Sequence, residues 1–340
     1  MFVRDTQIFT DSGWKPIQDI SGSDRVLVRN FINDAEFIQP FALKKRQYDG
    51  EVIEIGAKDW SFTVTPDTKI VYDLNGENKI RAKSAEDLST NRHIKLHRKF
   101  KYMFADEPKR EDIKIFDEFG KKYSVLAPYD WYKLVAYVLM RGFIKMGYGK
   151  PMLIINLDME HFESEISELS EILERIGVQF HVQYPQGVSP KLVVSSKNTL
   201  ARRLITRLGS STRRQMFLPD KMIYQSSKEL TDVLLSTMCK LQGSNNIATS
   251  NEALIDSLVL FGTLGGYGIG VSLSVKAGTV TNRGKVNKNS YIMRINEPIK
   301  TYSPTKKVKS SYSGYIYGID LFEGQVYVKN GVAPVWTSPK

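Results

Sequence analysis

Short strand-like segments occupy both ends of this chain, whereas helical periodicity is confined to its interior. Residues 1–124 contain brief β-rich runs between polar turns, such as Val52-Ile53-Glu54-Ile55. The dipeptide Asn75-Gly76 between two apolar segments predicts a hairpin, since both residues tolerate positive φ. β-rich segments return in residues 301–340. The two ends are therefore predicted to build one β domain that is interrupted by an inserted block, which domains tolerate because their termini often lie close together.

The interior block, residues 125–300, has the spacing of amphipathic helices with strand-like segments between them. Apolar residues recur at steps of four and three from Phe162 to Ile176, which predicts a helix over 160–176 that stops at Gly177. The same spacing predicts further helices over 131–144, 199–208, 229–241 and 251–260. The fold class expected from these patterns is a multi-domain protein, with an all-β domain in two parts (1–124 and 301–340) around an α+β domain.

Composition points to a basic protein without disulfides. Lys and Arg number 48 against 37 Asp and Glu, which gives a formal net charge of +11 among 340 residues. Such an excess favours polyanionic partners, because each neutralised phosphate releases condensed counterions. The single cysteine, Cys239, fits a reducing compartment. With no signal-like or membrane-spanning stretch, the expected location is the cytoplasm of a host cell, or a particle or complex assembled there.

The basic residues are concentrated in separate segments of the sequence. A solvated surface would explain each segment alone, but several of them together favour an extended basic surface that binds the phosphates of double-stranded DNA. The residues expected to contact DNA are Arg92, Lys95, Arg98, Lys99, Arg202, Arg203, Arg207, Lys276, Arg283, Lys285, Lys288 and Arg294.

Both ends of the chain carry recognisable blocks. The start is Met1-Phe2-Val3-Arg4-Asp5-Thr6, an internal segment is Thr63-Val64-Thr65-Pro66-Asp67-Thr68, and the end includes Val335-Trp336-Thr337-Ser338. These segments resemble the opening, T-x-x-H and closing blocks of the Hint (hedgehog/intein) family. The resemblance implies that residues 1–124 and 301–340 form one Hint domain.

The side chains that splicing requires are replaced at each of these blocks. Met1 stands where the family has its Cys or Ser nucleophile, and a thioether has no proton to lose and forms no stable acyl intermediate. Thr68 stands at the position of the family's His. Trp336 and Thr337 stand where His-Asn is usual, and Thr337 has no side-chain amide that could cyclise. The sequence therefore predicts a chain that does not splice.

The interior block contains two related segments about 100 residues apart, Leu134 to Ile144 and Leu234 to Ser244. They resemble the paired motifs of a LAGLIDADG homing endonuclease with both repeats on one chain. The resemblance implies pseudo-twofold repeats and an acidic residue near the end of each motif helix, where the family holds Mg²⁺. Arg141 and Gln242 occupy those two positions here. No metal ligand and no cofactor are therefore assigned, and Mg²⁺ is expected only if nuclease activity persists.

Together these features predict a stand-alone, non-splicing, intein-derived protein that resembles homing endonucleases. Its layout is similar to that of the mating-type switching endonuclease, and its expected origin is a phage or mobile element. With the splicing and nuclease residues replaced, it is expected to be no enzyme and to retain binding of duplex DNA. Two alternatives stay open. The first is a structural or adaptor subunit with a protein partner in a larger phage or polymerase assembly. The second is an active LAGLIDADG endonuclease with relocated metal ligands.

Overall fold

The computed structural model describes residues 1–29, 34–57, 60–74, 81–90, 93–97, 101–102, 113–117, 119–147, 150–224, 226–281, 284–296, 301–321, 324–330 and 335–338. Within them the chain is mixed α/β, with strands predominating. The chain divides into two compact units. The first unit is Met1–Met103, Gly266–Ser272 and Arg294–Lys340, and the second is Phe104–Gly265 and Leu273–Met293.

The strands are numbered in chain order. The first eleven are β1 Phe2–Val3, β2 Gln7–Thr10, β3 Gly13–Pro16, β4 Val26–Arg29, β5 Asp34–Ile38, β6 Ala42–Gly56, β7 Ser61–Val64, β8 Lys69–Leu74, β9 Arg81–Ser84, β10 Ile94–His97 and β11 Lys101–Tyr102. The next eleven are β12 Ile113–Phe116, β13 Tyr123–Leu126, β14 Gly142–Gly147, β15 Lys150–Asn156, β16 Phe180–Gln183, β17 Lys191–Val194, β18 Asn246–Thr249, β19 Gly268–Val275, β20 Val280–Thr281, β21 Gly284–Lys285 and β22 Ser290–Asn296. The last four are β23 Thr301–Tyr302, β24 Lys306–Asp320, β25 Gln325–Lys329 and β26 Val335–Thr337.

The α-helices lie between β13 and β19. They are α1 Pro128–Arg141, α2 Phe162–Arg175, α3 Leu200–Leu208, α4 Asp220–Tyr224, α5 Lys228–Gln242 and α6 Glu252–Leu264. None of the helices in the described part of the chain is long and apolar enough to cross a membrane.

In the first unit, strands from both ends of the chain pair with one another. β1, β24, β6 and β7 form a closed barrel, and a second sheet has the order β11-β5-β4-β2-β25-β26. The longest pairing joins β6 and β24, which run antiparallel over all their residues from Ala42 opposite Asp320 to Gly56 opposite Lys306. One core contains buried apolar side chains from these strands, among them Phe2, Ile53, Phe62, Ile319 and Val328.

In the second unit, β14, β15, β17 and β16 form an antiparallel sheet in that order. Alternate residues of each strand point to opposite faces, and one face carries Ile144, Leu153, Leu192 and Val194, all buried. Helices α1 and α5 pack against each other. β12 pairs with β13.

The helix predicted over 131–144 ends earlier than expected, at Arg141, and residues 142–147 form β14 instead. The cause is the close approach of the backbone at Gly142, where a Cβ atom would lie 2.6 Å from the Cα of Val138. Only glycine permits that contact, so the chain leaves the helix there. The other four predicted helices are confirmed as α2, α3, α5 and α6, and α4 was not predicted. The hairpin predicted at Asn75-Gly76 lies outside the described residues.

Candidate functional site

Arg141 closes α1 and binds the carboxylate of Glu165 on α2. Its Nη1 atom donates to both carboxylate oxygens of Glu165, at 2.6 and 2.8 Å. Its Nη2 atom donates to Asp158 at 3.1 Å and to the main-chain carbonyl of Leu241 near the end of α5. The Arg141 and Glu165 side chains are only 18% and 3% exposed. The Arg141 guanidinium therefore places a positive charge of the protein beside the carboxylates of Glu165 and Asp158.

Gln242 is the last residue of α5, and its side chain is exposed. The helix stops because Gly243 adopts a left-handed conformation with φ of 68°, and its N–H bonds to the carbonyl of Cys239. The ends of α1 and α5 meet through the Leu241 carbonyl, but Gln242 takes no part in the hydrogen bonds of Arg141. Among the described residues, no three His, Cys, Asp or Glu side chains are grouped so as to hold a metal ion.

A second glutamate of α2, Glu168, connects the same helices one turn further on. It accepts hydrogen bonds from the Tyr137 hydroxyl at 2.9 Å and from Lys240 of α5 at 3.1 Å, and it pairs with Lys133 of α1 at 2.8 Å. Burial raises the pKa of the Glu168 carboxyl, but the hydrogen bonds from Lys133, Tyr137 and Lys240 outweigh it, and the net pKa is lowered. Burial, together with the Glu168 charge, raises the pKa of Tyr137. Thus α2 holds α1 and α5 through two glutamates, Glu165 and Glu168.

The four residues predicted from the intein-like blocks lie in the first unit, and Met1 and Thr68 directly precede β1 and β8. The structure brings Met1 and Thr68 into contact, because the Met1 amine donates to the Thr68 Oγ1 atom at 2.5 Å and to Thr65 Oγ1 at 3.1 Å. Trp336 and Thr337 lie on β26 and are fully buried. The Trp336 ring packs against Tyr327, with 4.7 Å between the ring centroids.

The face of the β14-β15-β17-β16 sheet opposite the buried one carries polar and basic side chains around a central apolar pair, Ile154 and Val193, which is buried. We call it the open face. Cross-strand register aligns Phe143, Ile154, Val193 and His181 in one row across all four strands. The strand residues that point to the open face are Phe143, Lys145, Gly147, Lys150, Met152, Ile154, Asn156, His181, Gln183, Lys191 and Val193. The polar ones are exposed or half-buried, and no carboxylate is among them.

The basic residues predicted from the sequence fall on several different elements. Lys95 of β10 donates to Ser303 at 2.9 Å. On α3, Arg202 is exposed, whereas Arg203 and Arg207 are half-buried. Since the leucines of α3 are buried and the helix contacts β15, Arg202 lies on the side of α3 that faces away from that strand. Arg92, Arg98, Lys99 and Arg283 lie outside the described residues.

Three further predicted lysines lie in or beside the paired strands β20 and β21, and we call the described residues 276–281 and 284–289 the basic hairpin. β20 and β21 pair within it, with Val280 opposite Lys285. Lys276, Lys285 and Lys288 are all exposed there, and the segment contains no Asp or Glu. Arg294 is exposed on β22. The structure thus brings Lys276, Lys285 and Lys288 onto one hairpin.

Sequence reasoning missed both Glu165 and the lysines of the open face. Glu165 is one of several glutamates of α2, and nothing in the sequence distinguishes it from the others. The predicted helix extended to residue 144, so Lys145 was not expected to lie on a strand. In the structure β14 begins at Gly142 and includes Lys145. The alternation in β16 and β17 is visible in the sequence and could have identified His181, Gln183 and Lys191 as members of one face.

The sequence matches no known protein-family model, and no curated protein matches it. Among solved structures, mesophilic variants of the homing endonuclease I-DmoI are similar, with a TM-score of 0.37 and 12% identity over 50% of this chain and 89% of that one. I-DmoI in complex with DNA and Ca gives 0.35 and 12% over 50% and 83%. A splice-inactive variant of the AceL NrdHF class 3 split intein gives 0.26 and 13% over 57% and 97%. Similar structures thus include a homing endonuclease and a split intein, at low identity and partial coverage.

Proposed function

We propose that this protein binds double-stranded DNA without cutting it and that it does not splice. In this proposal an intein-like Hint domain, residues 1–124 and 301–340, is interrupted by a LAGLIDADG-like domain, residues 125–300, whose two repeats bind the duplex. The phage or mobile-element origin stays a prediction from the sequence.

The observation that carries the DNA-binding proposal is the open face of the second unit. Lys145, Lys150 and Lys191 lie on three of its four strands, and no strand residue of this face is acidic. His181 and Gln183 add groups that hydrogen-bond to base edges or phosphates. Four strands spaced about 4.8 Å apart span about 14 Å, which is close to the major-groove width of about 12 Å. The exposed lysines of the basic hairpin provide additional phosphate contacts.

Loss of nuclease activity is supported by the contacts of Arg141. Its guanidinium already neutralises Glu165 and lies beside Asp158, so these carboxylates are engaged by a permanent cation. A divalent ion would have to displace it against electrostatic repulsion. Gln242 offers only a neutral oxygen. Loss of splicing is supported by the Met1 thioether and by Thr337, which lacks a side-chain amide.

Binding to a labelled, mixed-sequence duplex at several salt concentrations tests the proposal. If about six phosphates are contacted, affinity falls about 10³-fold between about 50 and 200 mM salt. Replacing Lys145 and Lys191 with alanine lowers the slope of log affinity against log salt by about 1 for each lysine. The pair Lys114→Ala and Lys122→Ala, on the β12–β13 hairpin and its loop, is the matched control and leaves the slope unchanged.

A third variant, Arg202→Ala with Arg203→Ala, tests whether DNA contacts α3 instead of the open face. If only this variant lowered the slope of log affinity against log salt, the binding surface would be assigned to α3. A flat titration at about 100 mM salt would overturn the DNA-binding proposal and favour the adaptor function.

A further inference from the structure

In the second unit, a cavity of about 370 Å³ lies beside the ends of α1 and α5. Met140 of α1 and Gln242 of α5 line it, together with the segment from β18 to the start of α6 and the consecutive residues Arg213 and Arg214. Its volume lies within the range of about 300–1,000 Å³ that small-molecule sites occupy. The cavity is therefore large enough for a small organic ligand.

The segment that carries the two arginines is fixed by a buried side chain. Asn251 is only 6% exposed, and its Nδ2 atom donates to the main-chain carbonyls of Arg213 at 3.1 Å and Met216 at 2.6 Å. Its Oδ1 atom accepts from the N–H of Leu254 at 3.2 Å, so the same residue caps α6. A side-chain nitrogen of Arg213 also donates to the carbonyl of Met140. The main chain of the arginine segment is therefore held in place next to the cavity.

The cavity has an excess of positive charge. No Asp or Glu is among the described residues that line it, and no described carboxylate lies within 4 Å of either guanidinium. The carboxylate of Glu252, which follows the lining segment, accepts instead from the Tyr291 hydroxyl at 2.9 Å. Since Arg213 and Arg214 are consecutive and line one cavity, their charges repel each other, and a bound anion would offset that repulsion.

The number of charges and donors selects the ligand. A carboxylate carries one negative charge and would neutralise only one of the two guanidiniums. A phosphate monoester carries a charge of about −1.5 to −2 at pH 7 and three acceptor oxygens, so it matches two arginines, whose planar groups bind phosphate oxygens in pairs. The lining residues Ser250 and Ser290 have hydroxyl groups that can donate to the same oxygens. We infer that this cavity binds a phosphate monoester, carried either by a free nucleotide or by the phosphorylated end of a DNA strand.

Calorimetric titration of the full-length protein with deoxyadenosine monophosphate tests the inference. This monophosphate should bind, whereas deoxyadenosine, which lacks the phosphate, should not. The methyl ester of the monophosphate, a phosphodiester with one negative charge, should bind at least about tenfold more weakly. Affinity for the monophosphate should also fall as pH is lowered through about 6, where a monoester loses its second charge.

Arg214→Gln changes an exposed residue and should lower affinity for the monophosphate at least about tenfold. Gln242→Glu, which adds a carboxylate to the lining, should weaken binding similarly. The matched control, Lys121→Gln with Lys122→Gln, removes two positive charges from the β12–β13 loop of the same unit and should leave affinity unchanged. Equal affinity for the methyl ester, no binding of the monophosphate, or unchanged affinity in Arg214→Gln would overturn the inference.

Competition with DNA identifies the source of the phosphate. If a duplex with 5′-phosphates displaces the monophosphate at a lower concentration than the same duplex with 5′-hydroxyls, the ligand is a DNA end, and equal displacement assigns the cavity to a free nucleotide. The inference does not rest on the proposed DNA binding, because the monophosphate is titrated without DNA and the cavity shares no residue with the open face.

Discussion

The guanidinium of Arg141 and the carboxylate of Glu165 form a buried ion pair in which a single nitrogen, Nη1, lies 2.6 and 2.8 Å from the two oxygens. The same guanidinium bonds to the Leu241 carbonyl, so the pair joins α1, α2 and α5. The main-chain N–H of Asp158 donates to Glu165 at 3.0 Å and fixes the carboxylate further. The Arg141 guanidinium thus holds the ends of α1 and α5 together.

Replacing Glu165 with glutamine should destabilise the second unit by about 2 kcal/mol, because it removes the more buried of the two carboxylates of Arg141 and leaves only Asp158 beside the guanidinium. Hydrogen exchange of α1 and α5 amides under mild denaturant measures the loss. Glu163→Gln removes an exposed charge from the same helix and should have little effect. Equal protection of α1 and α5 in both variants would show that the pair contributes nothing.

Glu168 should make the stability of the second unit dependent on pH. Its folded-state pKa is lowered, so the ionised carboxylate stabilises the fold above the ordinary glutamate pKa of about 4.3, and this contribution is lost as pH falls through the folded-state value. The difference in unfolding free energy between wild type and Glu168→Gln should therefore be largest near neutral pH and shrink below about pH 4. Glu171→Gln, which changes an exposed residue of α2, is the control. A difference that stays constant with pH would contradict the assignment.

Splicing should not occur when residues 1–337 are placed between two reporter proteins. Met1 cannot form an acyl ester or thioester, and Thr337 cannot cyclise. Mass spectrometry of the purified fusion should find the intact precursor alone, as it should for the Thr337→Ala control. A ligated reporter product would refute the expectation.

Cleavage of duplex DNA in the presence of Mg²⁺ should not be detected, because Arg141 and Gln242 supply no anionic ligand. Incubation with a long mixed-sequence duplex, with and without a chelator, is the measurement. Cleavage that requires Mg²⁺ and disappears with the chelator would instead support an active endonuclease with relocated ligands.

Arg141→Asp should remove the guanidinium that pairs with Glu165 and Asp158, so that only an added cation could neutralise these carboxylates. Three carboxylates would then lie together, and mutual repulsion should lower the melting temperature of the variant. Ca²⁺ should restore part of that loss and leave the wild type unchanged, since hard cations bind carboxylate oxygens. Recovery by NaCl at equal ionic strength would indicate charge screening rather than a bound ion.

The sequence by itself determined much of the local structure. Step patterns of three and four residues identified α2, α3 and α5, because an amphipathic helix must place its apolar residues on one side. α6 was also identified, although it is buried on nearly all sides. The absence of splicing, which rests on the Met1 thioether and on Thr337, stays a prediction from the sequence. The end of α1 was not readable, because the contact between Gly142 and Val138 depends on how the chain packs after the helix.

The partners of charged side chains were decided only by the tertiary structure. Glu165 lies 24 residues after Arg141, and Lys240 lies 72 residues after Glu168. Nothing in their spacing distinguishes these glutamates from the exposed ones beside them. Likewise, Lys145, Lys150 and Lys191 share one face because antiparallel register aligns three separate strands. Long-range pairing depends on the burial of whole strands and helices, so it follows from the packed fold and cannot be inferred from one segment at a time.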